Sequence, residues 1–108
     1  MQGIEIRGFK RGEWTEVKPP EWFVEATASG EDWMIAFENY GVRAIEDFDF
    51  EDSIEVYKAL DGTYCVVFRD SIEVLAAVFI SSAADYIQFR AQIIAPNVQL
   101  TMANELPA

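Results

Sequence analysis

The stretch from Glu46 to Glu55 is the part of this sequence whose residue types are best suited to chemistry or binding. It holds six carboxylates in ten residues and no basic residue. So dense a charge of one sign is unfavourable on a compact surface unless it is solvated, binds an ion or meets a basic partner. The stretch, called the acidic run below, therefore indicates binding rather than catalysis.

The acidic run supplies all of the partner-binding residues that we predict. These are Glu46, Asp47, Phe48, Asp49, Phe50, Glu51, Asp52 and Glu55. In an extended chain, Asp47, Asp49 and Glu51 project from one face at roughly 6.6 Å intervals, and the two phenylalanines project from the other. Such a row can imitate the negative backbone of a nucleic acid toward a groove lined by Arg and Lys, with the phenylalanines as anchors. The alternative interpretation is a solvated loop whose phenylalanines pack into the core.

A calcium site is the other use that such a run can have, and the spacing argues against it. In a twelve-residue calcium loop that starts at Asp47, the sixth position would be Asp52, where the loop requires glycine. The twelfth position would be Lys58, where it requires a bidentate glutamate. We therefore predict no metal site and no cofactor.

Signals of catalysis are few in this chain. It has no histidine, which is the commonest general base, and a single cysteine, Cys65. It also lacks the glycine-rich phosphate loops and the Gly-x-Ser-x-Gly nucleophile motif. We predict that the protein is not an enzyme, with catalysis by carboxylates alone as the remaining enzymatic alternative.

The charge is large and unevenly distributed. The net charge is −11; the first 18 residues contain four basic and three acidic residues, and the other 90 contain four basic and sixteen acidic residues. Binding to nucleic acid or to an anionic membrane depends on Lys and Arg, so both are disfavoured as partners. A basic protein is the complementary partner.

The expected location is the cytoplasm. One cysteine excludes an internal disulfide, and the first residues lack the pattern of a signal peptide. The longest apolar run, Val74 to Ile80, is too short to span a bilayer.

The length of 108 residues predicts a single globular domain, residues 1–108. We predict an α+β fold: an antiparallel β-sheet of about five to seven strands with one main C-terminal helix at about 82–95. The clearest hairpin joins 54–60 to 63–69 through Asp61-Gly62, a pair typical of a two-residue type I′ turn. A buried strand at 73–80 and a last edge strand with Val98, Leu100 and Met102 complete the expected sheet.

The C-terminal helix is predicted from its ends. Ser81 or Ser82 is a suitable N-cap, and Pro96 ends the helix. The residues expected on its inward face are Ala83, Tyr86, Ile87, Ala91 and Ile94. A single helix over 72–95 is the alternative, which the β-branched and aromatic residues before Ser81 disfavour.

Residues 21–40 are ambiguous between strand and helix. Two stretches of alternating side chains on either side of a turn at 29–31 favour a β-hairpin. Trp22, Val24 and Ala26 alternate with Phe23, Glu25 and Thr27, and Trp33, Ile35 and Phe37 alternate with Met34 and Ala36. The spacing of Asp32 after Ser29, with Gly41 as a stop, is instead typical of a helix. We favour the hairpin.

Our first functional hypothesis is a non-catalytic acidic protein that occupies a basic surface of another protein, such as a nucleic-acid-binding surface, and inhibits or regulates it. Small phage-encoded or bacterial inhibitors act in this way. The second hypothesis is a structural or assembly subunit. If one helix covers only one face of the sheet, the other apolar face would be closed by a second copy, making a homo-oligomer.

Overall fold

The computed structural model describes residues 4–49, 53–70 and 73–96, which form six strands and three α-helices. In chain order the elements are β1 (Glu5–Lys10), β2 (Glu13–Thr15), α1 (Glu21–Ala28), α2 (Trp33–Glu38), β3 (Arg43–Asp49), β4 (Ser53–Lys58), β5 (Tyr64–Asp70), β6 (Glu73–Ile80), α3 (Ala83–Phe89) and a π-helical turn (Arg90–Ile94). The predicted α+β class, with a helix in the C-terminal region that follows β6, is confirmed.

The sheet has the order β2-β1-β6-β5-β4-β3 and is mixed, not wholly antiparallel as predicted. Strands β3 to β6 form an antiparallel meander, β1 and β2 form a hairpin, and β1 pairs with β6 in parallel. The chain crosses from β2 to the far edge of the sheet through α1 and α2 and then returns strand by strand. Strand β6 lies beside β1 and runs in the same direction as β1.

The hairpin predicted for residues 21–40 is wrong, because this segment forms α1 and α2. The buried residues of α1 are Phe23 and Ala26, three positions apart, and those of α2 are Ala36 and Phe37. This spacing belongs to one side of a helix, and it outweighs the short alternation of apolar residues after Pro20. The aromatic residues thereby pack onto the sheet instead of pairing within it.

The ends of these helices follow ordinary capping chemistry. Pro20 directly precedes α1 and, being a proline, has no backbone N–H that would need a hydrogen-bond partner. The side chain of Asp32 accepts a hydrogen bond of 3.0 Å from the Met34 N–H at the start of α2. Gly41, with a φ of +77°, lets the chain turn away from α2 toward β3.

Both faces of the sheet are covered, which corrects the expectation of a bare apolar face. The helices α1 and α2 cover one face, where Phe23 and Phe37 pack with Tyr57, Cys65 and other buried residues. Helix α3 covers the opposite face. The residues of this second cluster are Phe9, Ile54, Val56, Tyr64, Val66, Val78, Ile80, Tyr86, Phe89 and Ile94.

The two-residue type I′ turn lies elsewhere than predicted. The positive φ angles that define it occur at Arg11 and Gly12, between β1 and β2. The predicted hairpin of β4 and β5 exists, but its turn is longer because the last strand pair is Lys58 with Tyr64. There the Asp61 carboxylate accepts a hydrogen bond from the Thr63 N–H, which favours the wider turn.

Helix α3 begins as predicted, with Ser82 as its N-cap, and the single helix over 72–95 is excluded because β6 ends at Ile80. Its inward face differs from the prediction: Tyr86 and Ile94 are buried as expected, but Ala83, Ile87 and Ala91 are exposed. Phe89, which was not predicted there, is fully buried. Phe89 points inward because it follows the buried Tyr86 by three residues. None of the helices described by the structure is long and apolar enough to cross a membrane. The predicted strand after residue 97 lies outside the described residues.

Candidate functional site

The acidic run lies on β3 and β4, at one edge of the sheet. Asp47 is directly opposite Glu55, and Phe48 is opposite Ile54. Asp49 ends β3 as the backbone partner of Ser53, and the predicted contacts Phe50, Glu51 and Asp52 lie outside the described residues. The hairpin therefore brings the two ends of the run together across neighbouring strands.

Glu55 is held by two side chains of the same sheet. The Tyr57 hydroxyl donates a hydrogen bond of 2.7 Å to its carboxylate, and the Arg69 guanidinium lies 3.2 Å from it. The side chains of Glu55 and Arg69 are only 19% and 26% exposed. Charge-assisted contacts of this kind are stronger than neutral ones, and here they fix Glu55 inside the fold.

Glu46 has an equivalent pair of partners on the other face. The Tyr86 hydroxyl of α3 donates a hydrogen bond to its carboxylate, and the Arg90 guanidinium lies 2.9 Å away. Arg90 also lies 5.6 Å from the centre of the Phe48 ring, in cation–π contact. Glu46 and Phe48 therefore join the edge strand to α3.

Asp47 differs from these two glutamates. It is exposed and forms no ion pair with any residue in the described ranges. Because side chains alternate along a strand, Asp47 lies on the face opposite to Glu46 and Phe48, beside α2. Of the predicted contacts whose side chains are described, Asp47 is the one whose charge is not matched by a described residue.

A cavity of about 250 Å³ opens to solvent beside Asp47. Its walls combine apolar side chains, Met34 of α2 with Ala44 and Ile45 of β3, with the carboxylates of Asp47 and Glu55. Met34 and Ile45 are themselves half exposed. The cavity can accept a group that is apolar along its length and positively charged at its end.

The helices α1 and α2 carry an acidic surface that the sequence reasoning missed. Between Lys18 and Arg43 there are five acidic residues and no basic residue, and this was the available signal. They are Glu21, Glu25, Glu31, Asp32 and Glu38. All five are exposed, and none forms an ion pair with a described residue.

Tyr40, which follows α2, lies close to this surface. Its pKa is raised, first by desolvation and then by the negative charges of Glu25 and Glu31. Exposed apolar side chains lie among the carboxylates, including Val24, Met34 and Ile35. We call the surface of residues 21–38 together with Asp47 the acidic face.

The basic residues of the N-terminal hairpin lie at the opposite edge of the sheet. Arg7 pairs with Glu5, and the backbone N–H of Arg11 donates to the Asp85 carboxylate, whose pKa this hydrogen bond lowers. The basic residues of this hairpin are thus separated from Asp47 by the width of the sheet, whereas Arg43 and Lys58 lie at the start of β3 and the end of β4.

Residues 4–49, 53–70 and 73–96 contain no preformed metal site, because no three Cys, Asp or Glu side chains among them are grouped to hold an ion.

Comparison of the chain with protein-family models, with curated proteins and with solved structures gave no match.

Proposed function

We propose that this protein is a non-catalytic binding protein that occupies a basic surface of a partner protein and thereby inhibits or regulates it. The observation that carries the proposal is the unmatched negative charge of the acidic face. Six exposed carboxylates, the five of the helical segment and Asp47, have no cationic partner among the described residues.

Charge and apolar contact have separate roles in this proposal. The negative potential steers a basic partner toward the protein and excludes acidic ones, including nucleic acids. The exposed Val24, Met34 and Ile35 supply apolar area that is removed from water in the complex. A surface that combines both is suited to a protein groove in which aliphatic and basic side chains alternate.

The paired glutamates have a supporting role. Glu46 and Glu55 are neutralised by Arg90 and Arg69 and fix the β3–β4 hairpin to the rest of the fold. A rigid hairpin presents Asp47 in one position, which reduces the entropy lost on binding.

Charge reversal on the acidic face tests the proposal. The test variant combines Glu38→Lys with Asp47→Lys, and the control combines Glu13→Lys with Glu16→Lys near the basic edge, so that both change the net charge equally. Each protein is immobilised and used to capture partners from cell lysate between low and high salt. We expect the wild type and the control to retain the same basic proteins at low salt, and the test variant to lose them.

Three outcomes contradict the proposal. These are capture of no basic protein by the wild type, equal losses in both variants, and binding that does not weaken with salt. Sedimentation of the wild type distinguishes the assembly alternative, in which the protein forms oligomers that the test variant retains.

A further inference from the structure

Strand β3 is the last strand in the order of the described sheet. It pairs with β4 on one side, and among the described residues no other strand pairs with it. It is seven residues long, whereas β2 at the opposite edge has three. An edge of this length offers a row of unpaired N–H and C=O groups to an extended segment of another chain.

The cavity beside β3 gives this edge a side-chain specificity. The stem of a lysine or arginine would lie against Met34 and Ile45, and its charged end would reach Asp47. Glu55 in the same cavity is already paired with Arg69, so Asp47 supplies the free charge.

A second copy of the chain is a poor occupant of the same edge. Two β3 strands side by side would bring the carboxylates of two chains of net charge −11 together. The register also shifts between Ala44 and Glu46, so that Ile45 forms a bulge, a device that discourages pairing between identical edges. A basic segment avoids the charge repulsion and can pair with the regular part of the strand after the bulge.

We infer that the edge of β3 binds an extended basic segment of the partner as an additional strand, with one lysine or arginine side chain in the cavity between Met34 and Asp47. This inference rests on the proposed function and specifies its site and the chemistry of its partner. Main-chain hydrogen bonds hold the segment, and the cavity selects a cationic side chain.

The probe for this inference is a capped heptapeptide that alternates lysine and valine. Its control has the same side chains and charge but carries N-methyl groups on its internal backbone nitrogens, which removes the N–H donors. Because several main-chain hydrogen bonds are lost, we expect the control peptide to bind the wild-type protein at least about tenfold more weakly by calorimetry. Amide hydrogen exchange along β3 should slow when the unmodified peptide binds.

Matched variants separate the contribution of the cavity to peptide binding from the contribution of the overall charge. Met34→Trp fills the cavity, and Ile35→Trp places the same side chain at the neighbouring exposed position outside it. Asp47→Lys is compared with Glu13→Lys on the other edge strand. We expect Met34→Trp and Asp47→Lys to weaken peptide binding about tenfold, and the two controls to change it less than about threefold.

The outcomes distinguish this inference from the proposed function. Equal binding of both peptides, reduced by charge reversal on the acidic face, overturns strand addition and leaves the proposed function standing. Equal effects of Met34→Trp and Ile35→Trp overturn the role of the cavity. Failure of both peptides to bind at low salt overturns the inference, and the capture experiment then decides the proposed function by itself.

Discussion

Glu46 and Glu55 have the same local chemistry on opposite faces of one hairpin. Each carboxylate accepts a hydrogen bond from a tyrosine hydroxyl and pairs with an arginine. Neither arrangement is visible in the sequence, because Arg69 is 14 residues from Glu55 and Tyr86 is 40 residues from Glu46. The sequence does indicate that Asp47 and Phe48 lie on opposite faces of the strand, because successive side chains alternate.

Asp47 and Glu55 lie directly opposite each other, and only Glu55 has an ion-pair partner among the described residues. The two residues therefore allow a matched test of what such a partner contributes to stability. We expect Glu55→Gln to lower the free energy of unfolding by about 1 kcal/mol, because it weakens charge-assisted contacts with Tyr57 and Arg69 that are only partly exposed. Asp47→Asn removes the same charge but no partner, so we expect a change within about 0.5 kcal/mol, or a slight gain from reduced repulsion. Urea unfolding of both variants measures this, and equal losses would contradict the structural role of Glu55.

At the scale of elements, local patterns predicted several strands and one helix. The Asp61-Gly62 turn located β4 and β5, a buried apolar run located β6, and a serine N-cap located α3. Alternation failed at 21–40, because Trp22 and Val24 fit a strand as well as a helix over so short a stretch. The parallel pairing of β1 with β6 could not be predicted, since it depends on where the whole chain returns.

The start of α2 gives a test of why this segment is helical. Asp32→Ala removes the side-chain acceptor for the Met34 N–H, and we expect it to lower the free energy of unfolding by about 1 kcal/mol. Asp32→Asn removes the same charge but keeps an N-cap acceptor, so its effect should stay within about 0.5 kcal/mol. Thermal and urea unfolding compare the two, and similar destabilisation by both would assign the effect to charge instead of capping.

At the scale of the whole molecule, the sheet separates two cores and two kinds of surface. Helices α1 and α2 bury one set of aromatic residues and present carboxylates outward, while the N-terminal hairpin holds its basic residues at the far edge. The fold therefore has negative charge where the proposed partner would bind. The same fold buries groups that ionise at alkaline pH, whose protonation links its stability to pH.

Alkaline pH should destabilise the folded protein through three of these groups. Burial raises the pKa of the Cys65 thiol, and burial together with the adjacent carboxylates raises the pKa of the Tyr57 and Tyr86 phenols. In the unfolded chain these groups lose their protons near about pH 8.5 for the thiol and about pH 10 for the phenols. The folded state then binds more protons than the unfolded state, so the free energy of unfolding falls as the pH rises through this range, and the contribution is fully present below it.

Urea unfolding between pH 7 and pH 11 measures this dependence, and single tyrosine variants assign it. Once a buried group is ionised in the unfolded chain, it lowers the free energy of unfolding by up to about 1.4 kcal/mol for each further pH unit. Tyr57→Phe and Tyr86→Phe should each make the decline in the free energy of unfolding above pH 10 shallower. The slope depends on how many more protons the folded state binds than the unfolded state, and phenylalanine binds none in either state. This holds even if the variant is less stable at neutral pH. A wild-type free energy of unfolding that stays constant up to pH 11, or variants with an unchanged slope, would show that these phenols are not kept protonated by the fold.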